Sequence, residues 1–380
     1  MNTPPGAAST LRLTIARAVA WALLLAGWVG LGGVALALTP SLLGVYALVA
    51  LWLLALGIAA TVATRDSLSA RSRRVGLGSC AALTAAALVW STRDGGLTAL
   101  IVAVGGWAGL TALASGVVRS VRLSHAARPE PPIVAASLGA LCAALVLADP
   151  GDARALALRL GALVLVAAIV LAMLQIGDRH GVAASRCRAG LFDCSLPAWP
   201  TGAWHDVRQW PVLFAGLAML PMMAALPMMA AWCRAQSIAP QAMLALHFAA
   251  MFAPALLLRR AIAHWSPRVL ALVCAILLAA GAAAVLWASA PFDLLGVALA
   301  HGAAWSFAWT GQLWSPERRS RQGTSPLRAA IGYAALTILV GLAIEQRGPA
   351  GLAITQAALG LAAALAWGYG LARRDHAPAG

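Results

Sequence analysis

Lysine is absent from this 380-residue sequence, tyrosine occurs three times, and acidic side chains number twelve. Charged residues make up only 10% of the chain, whereas a soluble domain carries about a quarter. That shortage excludes a surface built to face water. The few carboxylates also stand in the wrong places for carboxylate-based proton coupling: Asp293 and Glu345 fall at the ends of apolar runs, and Asp149 and Asp152 in a turn between two of them. Cysteine is too scattered for a disulfide framework, since Cys80, Cys142 and Cys274 lie in apolar runs and Cys187 and Cys194 in a polar loop. No nucleophile–base pair, phosphate-binding loop or cofactor motif occurs, so neither an enzyme nor a bound cofactor is expected.

What the chain has in abundance is apolar length. Hydrophobic residues are 62% of it, in runs of roughly 20 residues, the length of a membrane-spanning helix. Breaks at Arg, Asp, Pro and Gly clusters predict twelve spans, at about 15–38, 41–63, 75–92, 97–118, 132–149, 154–176, 211–232, 239–258, 268–288, 292–312, 328–344 and 350–371. The first run is too long for the core of a signal peptide and a second span follows at once, so it is predicted to stay as helix one.

The net charge of +15 is a matter of topology. With the N-terminus in the cytoplasm, 22 of the 27 basic residues fall in inside segments, and one orientation satisfies the positive-inside rule across all twelve spans. Both termini are predicted cytoplasmic, in a multi-pass protein of the bacterial inner membrane. The basic excess calls for membrane lipids as neighbours, and for no nucleic acid. The longest polar interruption runs from Gly177 to Trp210 and splits the spans six and six. The expected organisation is an N-terminal six-helix bundle over 1–176, a cytoplasmic loop over 177–210, a C-terminal six-helix bundle over 211–372 and a tail over 373–380. The predicted fold class is therefore an all-α membrane protein of two six-helix bundles.

Five of the nine methionines, Met219, Met222, Met223, Met228 and Met229, fall within eleven positions of predicted span seven. Spans seven and eight form an antiparallel pair joined by a short outside loop. At ~1.5 Å rise per residue, Met219 and Met251 both lie about 12 Å from the cytoplasmic ends of their helices, and Met223 and His247 about 18 Å. Each of the pairs 219/223 and 247/251 is spaced i, i+4 and shares a helix face. The two helices thus offer a Met-xxx-Met and a His-xxx-Met ladder at matched depth. Met243 extends one ladder outward, and Met228, Met229 and Cys233 extend the other. Two readings stand: methionine as a flexible filler of apolar gaps, or thioethers and one imidazole as a neutral, soft ligand set suited to Cu(I). An imidazole near the membrane midplane is by default functional, which sharpens the second reading at His247. His301, followed by Trp305, Ser306, Trp309 and Thr310, is a second such imidazole, read either as cavity lining or as a structural hydrogen-bonding group. The loop residues Cys187, Cys194, His205 and Asp206 have metal-ligand chemistry but no zinc spacing.

The 6+6 division, with inside termini and a long inside central loop, resembles the major facilitator superfamily. Remnants of that superfamily's loop motif stand at "RDSLSARSRRVG" (65–76) and "RRAIAHWSPR" (259–268), with the arginines kept but without the Gly and Asp in the second copy. The elements "MLPMM" and "HFAAM" on successive spans are similar to the paired motifs of the CcoA-type copper importers. That resemblance implies import of copper, as an ion or small complex, across the inner membrane, with Met219, Met223, His247 and Met251 as ligands. It further implies a functional role for Cys233 and a link to assembly of cbb3-type cytochrome c oxidase. Met243, Met229, His301 and Trp305 are further transport-path candidates. A facilitator for a small organic solute, such as a vitamin or drug-like compound, is the alternative, with His301, Trp305, Trp309 and Gln312 lining its cavity. A membrane assembly or sensor protein acting through its cytoplasmic loop is a third reading.

Overall fold

A computed structural model describes residues 5–39, 41–65, 69–124, 132–147, 152–176, 240–262, 264–287, 291–313 and 326–375. Among the described residues the regular structure is helical throughout. The helices are α1 (Pro5–Leu38), α2 (Leu42–Arg65), α3 (Ala70–Trp90), α4 (Gly96–Ser124), α5 (Pro132–Leu147) and α6 (Ala153–Ile176). They continue as α7 (Pro240–Leu257), α8 (Pro267–Trp287), α9 (Pro291–Leu313), α10 (Pro326–Arg347) and α11 (Pro349–Asp375). Every predicted span coincides with one of these except the seventh, 211–232, which lies outside the described residues, as does the central loop. Thr10–Leu38, Leu42–Val62, Ala70–Val121, Ala153–Gln175 and Ala330–Arg347 are long and apolar enough to cross a membrane. In lipid the backbone must satisfy its own hydrogen bonds, so apolar segments of this length form helices whatever their residue propensities.

Proline and glycine punctuate the chain. Proline is the first residue of α5, α7, α8, α9, α10 and α11, where its missing N–H removes nothing from the helix. Pro240 therefore starts α7 and does not kink it. Pro254 does lie inside α7, which ends three residues later at Leu257. Between α3 and α4 the chain turns through a short π-helical segment, Ser91–Gly95, and Gly96 at φ 47°. Gly348, at φ 57°, ends α10, with its N–H on the carbonyl of Ile344 at 2.7 Å. Both are left-handed positions that glycine occupies without steric cost.

The chain divides into two compact units, Met1–Leu196 with Ser325–Ile338, and Pro197–Thr324 with Leu339–Gly380. In the first, α1 packs against α2, α4, α5 and α6, and α3 against α4 and α6. Glycine sets the closest approaches. A Cβ on Gly139 of α5 would fall 2.5 Å from both the carbonyl oxygen of Ala18 and the Cβ of Trp21 on α1, so only bare backbone fits. Gly27 makes room for the indole of Trp107, whose Nε1–H donates to the Leu23 carbonyl at 2.8 Å. Trp28 and Trp52 meet edge to face at 5.6 Å. Much of this unit's buried polarity is spent within its own helices: Thr84 donates to the Cys80 carbonyl at 2.7 Å and Thr111 to that of Trp107 at 2.9 Å. Trp107→Phe keeps an aromatic ring and removes the α4–α1 bond, at an expected cost of about 1 kcal/mol. A drop of a few degrees in the detergent unfolding midpoint checks it, and an unchanged midpoint counts against the bond.

In the second unit α9 packs against both α7 and α8, and α8 against α11. Here too glycine sets the spacing. A Cβ on Gly302 of α9 would lie 2.5 Å from the His247 carbonyl oxygen, 2.7 Å from the Ala250 Cβ and 3.0 Å from the Met251 backbone nitrogen. α7 and α9 thus touch backbone to backbone at the level of His247.

Candidate functional site

Met219, Met223, Met229 and Cys233 lie outside the described residues, together with the loop residues Cys187, Cys194, His205 and Asp206. The other half of the predicted ladder is on α7. Met243, His247 and Met251 are all 0% exposed, as expected of three residues at successive i, i+4 steps on the helix face turned into the bundle. Met243 packs in an apolar cluster with Ala282 and Val285 of α8, Val297 and Ala298 of α9 and Ala353 of α11. That setting suits a gap-filling side chain.

His247 is held differently. Its Nδ1 lies 3.0 Å from the carbonyl oxygen of Ala298 on α9. A carbonyl accepts only, so Nδ1 carries the proton and donates, and Nε2 keeps its lone pair. Nε2 is buried and has no hydrogen-bond partner among the described residues. An imidazole tied through one nitrogen to a backbone carbonyl, with the other nitrogen open, is the arrangement of metal-ligating histidines. The ring of Phe248 lies 6.0 Å from that of His247.

His301 of α9 is likewise 0% exposed. It stands three residues along α9 from Ala298, whose carbonyl holds His247, and it neighbours the side chain of Gln356 on α11. The amide and ring fall short of a hydrogen bond of good geometry, since both nitrogens of His301 and both polar atoms of the Gln356 amide are without a partner among the described residues. Gly281 of α8 gives the ring its space: a Cβ there would come within 2.7 Å of His301 Nε2. Ser306, also fully buried, has a hydroxyl with no partner among the described residues. Trp305 meets Phe252 of α7 edge to face at 5.3 Å.

Gln356, Gly281 and Gly302 do not figure among the residues that the sequence points to. Gln356 had a signal, an uncharged polar residue inside an otherwise apolar run; the two glycines stand among many others and only packing distinguishes them. Among the described residues no three His, Cys, Asp or Glu side chains come together as a metal-binding group. Cation binding by the described residues would therefore rest on neutral imidazole and thioether donors, which suit Cu(I) and disfavour Mg(II) and Mn(II).

No protein-family model matches this chain, and no curated protein matches it. Solved structures do. The nucleoside transporter NupG superposes with a TM-score of 0.62 at 14% identity, over 97% of this chain and 100% of that one. The xylose transporter XylE from E. coli, in a partially occluded inward-open conformation, gives 0.60 at 13% identity over 98% of each chain. Tetrameric PepTSo2 gives 0.59 at 12% identity over 96% of this chain and 98% of that one. At such identities the likeness is one of fold: this apolar, multi-helix chain folds as those transporters do.

Proposed function

We propose that this chain imports copper across the bacterial inner membrane by alternating access, and so supplies cytochrome oxidase assembly. The observation that carries the reading is His247, with Nδ1 bound to the Ala298 carbonyl and Nε2 buried without a partner among the described residues, on the same α7 face as Met251. Copper enters from Cys233 and the outer methionines, passes between Met223 and His247, and leaves past Met219 and Met251. Neutral donors serve this better than thiolates, which would hold a monovalent ion too tightly for release.

The test is copper accumulation in cells lacking the native protein, comparing wild type with Met251→Leu and Met219→Leu at matched membrane expression. A Met to Leu exchange conserves volume and costs a packed core less than about 1.5 kcal/mol, while it removes the sulfur. If the methionines are ligands, both variants lose most of the wild-type accumulation. If all three chains give the same copper level, the methionines are packing, and the second reading takes over. That second reading, a small organic solute, is favoured by the fold likeness to transporters of a nucleoside and of xylose.

A further inference from the structure

His301 and Gln356 belong to no element of the ladder, yet they concentrate buried polarity that the bundle leaves unmatched. Buried polar groups are normally hydrogen-bonded, and an orphan costs about 1–3 kcal/mol. Both ring nitrogens of His301, both amide atoms of Gln356 and Nε2 of His247 are orphans among the described residues. They come from α9, α11 and α7 of one unit. The two imidazoles meet α9 three residues apart, His247 at the Ala298 carbonyl and His301 as a side chain of that helix, and the Gln356 amide stands next to the second ring.

We propose that His301 and Gln356 form a second cation station beside His247, in which His301 offers an imidazole lone pair to the cargo and the neighbouring Gln356 amide closes a hydrogen bond to the ring when the ion is bound. The proposal rests on the copper reading and deepens it. Space decides for an ion over an organic solute. Gly281 and Gly302 bring the backbones of α8 and α7 within van der Waals contact of this part of α9. His247, His301 and Gln356 are each 0% exposed, so this close packing leaves no space for a molecule of sugar size. Two neutral nitrogens and a nearby thioether are donors Cu(I) accepts in low coordination number. A second site beside the first also lets the ion move by exchange of one ligand at a time, with no fully stripped intermediate.

The experiment uses the purified full chain in detergent under reducing conditions. Cu(I) is titrated against bicinchoninate, and the copper K-edge absorption spectrum of the loaded protein counts imidazole and sulfur neighbours. Wild type is expected to show scattering from two imidazoles together with sulfur. His301→Phe, which keeps a ring of similar volume, is expected to lose one imidazole and to bind at least about 10-fold more weakly; Gln356→Leu is expected to weaken binding by about 10-fold with both imidazoles retained. A merely structural amide would leave affinity unmoved on replacement by leucine. If wild type binds, His247→Ala abolishes binding, and both variants titrate and scatter as wild type does, the second station is overturned and the copper reading stands. If wild type takes no Cu(I) from bicinchoninate, both fall together. Gln356→Leu decides the matter alone where His301→Phe does not purify as a monodisperse protein.

Discussion

Gly302→Leu is expected to yield no monodisperse protein in detergent, and Gly302→Ala a weakened one. The position leaves a side chain nowhere to go, because the first atom of any substituent meets the His247 carbonyl oxygen at 2.5 Å and the Met251 nitrogen at 3.0 Å. Those are backbone atoms of a helix and have no rotamer to change. Restoring contact distances near 3.5 Å requires α7 and α9 to separate by roughly 1 Å. For alanine the overpacking costs about 1–3 kcal/mol. For leucine the branched side chain would need several times that displacement. The same separation stretches the 3.0 Å bond from His247 Nδ1 to Ala298, so the folded fraction of Gly302→Ala should also accumulate less copper than wild type. Size-exclusion profiles and unfolding midpoints of the two variants check the first claim. A wild-type midpoint for Gly302→Ala would mean that the two helices do not cross this closely.

The described helices were legible in the sequence because lipid offers the backbone one outcome. Where apolar runs of about 20 residues end at Pro, Gly or Arg, helices end too, and proline as the first residue of α7 to α11 marks their starts. Legible also was the shared face of Met243, His247 and Met251, which follows from spacing alone. What could not be read was pairing between helices. Ala298, an alanine in a chain full of them, acquires a role at His247 only through its carbonyl. Gly281 matters because His301 fills the volume its missing side chain leaves. Gln356 stands 55 residues from His301 in the sequence, and no local pattern joins the two. Proximity across a bundle depends on the rotation and crossing of each helix, which side-chain identity constrains weakly when nearly every neighbour is Ala, Leu or Val.

His247→Asn separates holding the bundle from holding the cargo. The amide nitrogen of asparagine sits where imidazole Nδ1 does, one bond beyond Cγ, and can donate to the Ala298 carbonyl as the ring now does at 3.0 Å. What the exchange removes is the far side of the ring and, with it, Nε2. The void left behind is small, and its expected cost is about 1–2 kcal/mol, so the asparagine variant should insert and purify as wild type does. Its copper accumulation should fall by ~100-fold or to the level of cells without the transporter, since loss even of a group that only supports a metal ligand costs 10–100-fold. His247→Leu makes the complementary change: it fills the volume, drops both the bond and the ligand, and should match the asparagine variant in transport while unfolding at lower temperature. Transport retained by His247→Asn and lost by His247→Leu would assign the histidine to helix packing through Ala298. Transport lost by both, with a folded asparagine variant, leaves Nε2 as the atom that meets the ion.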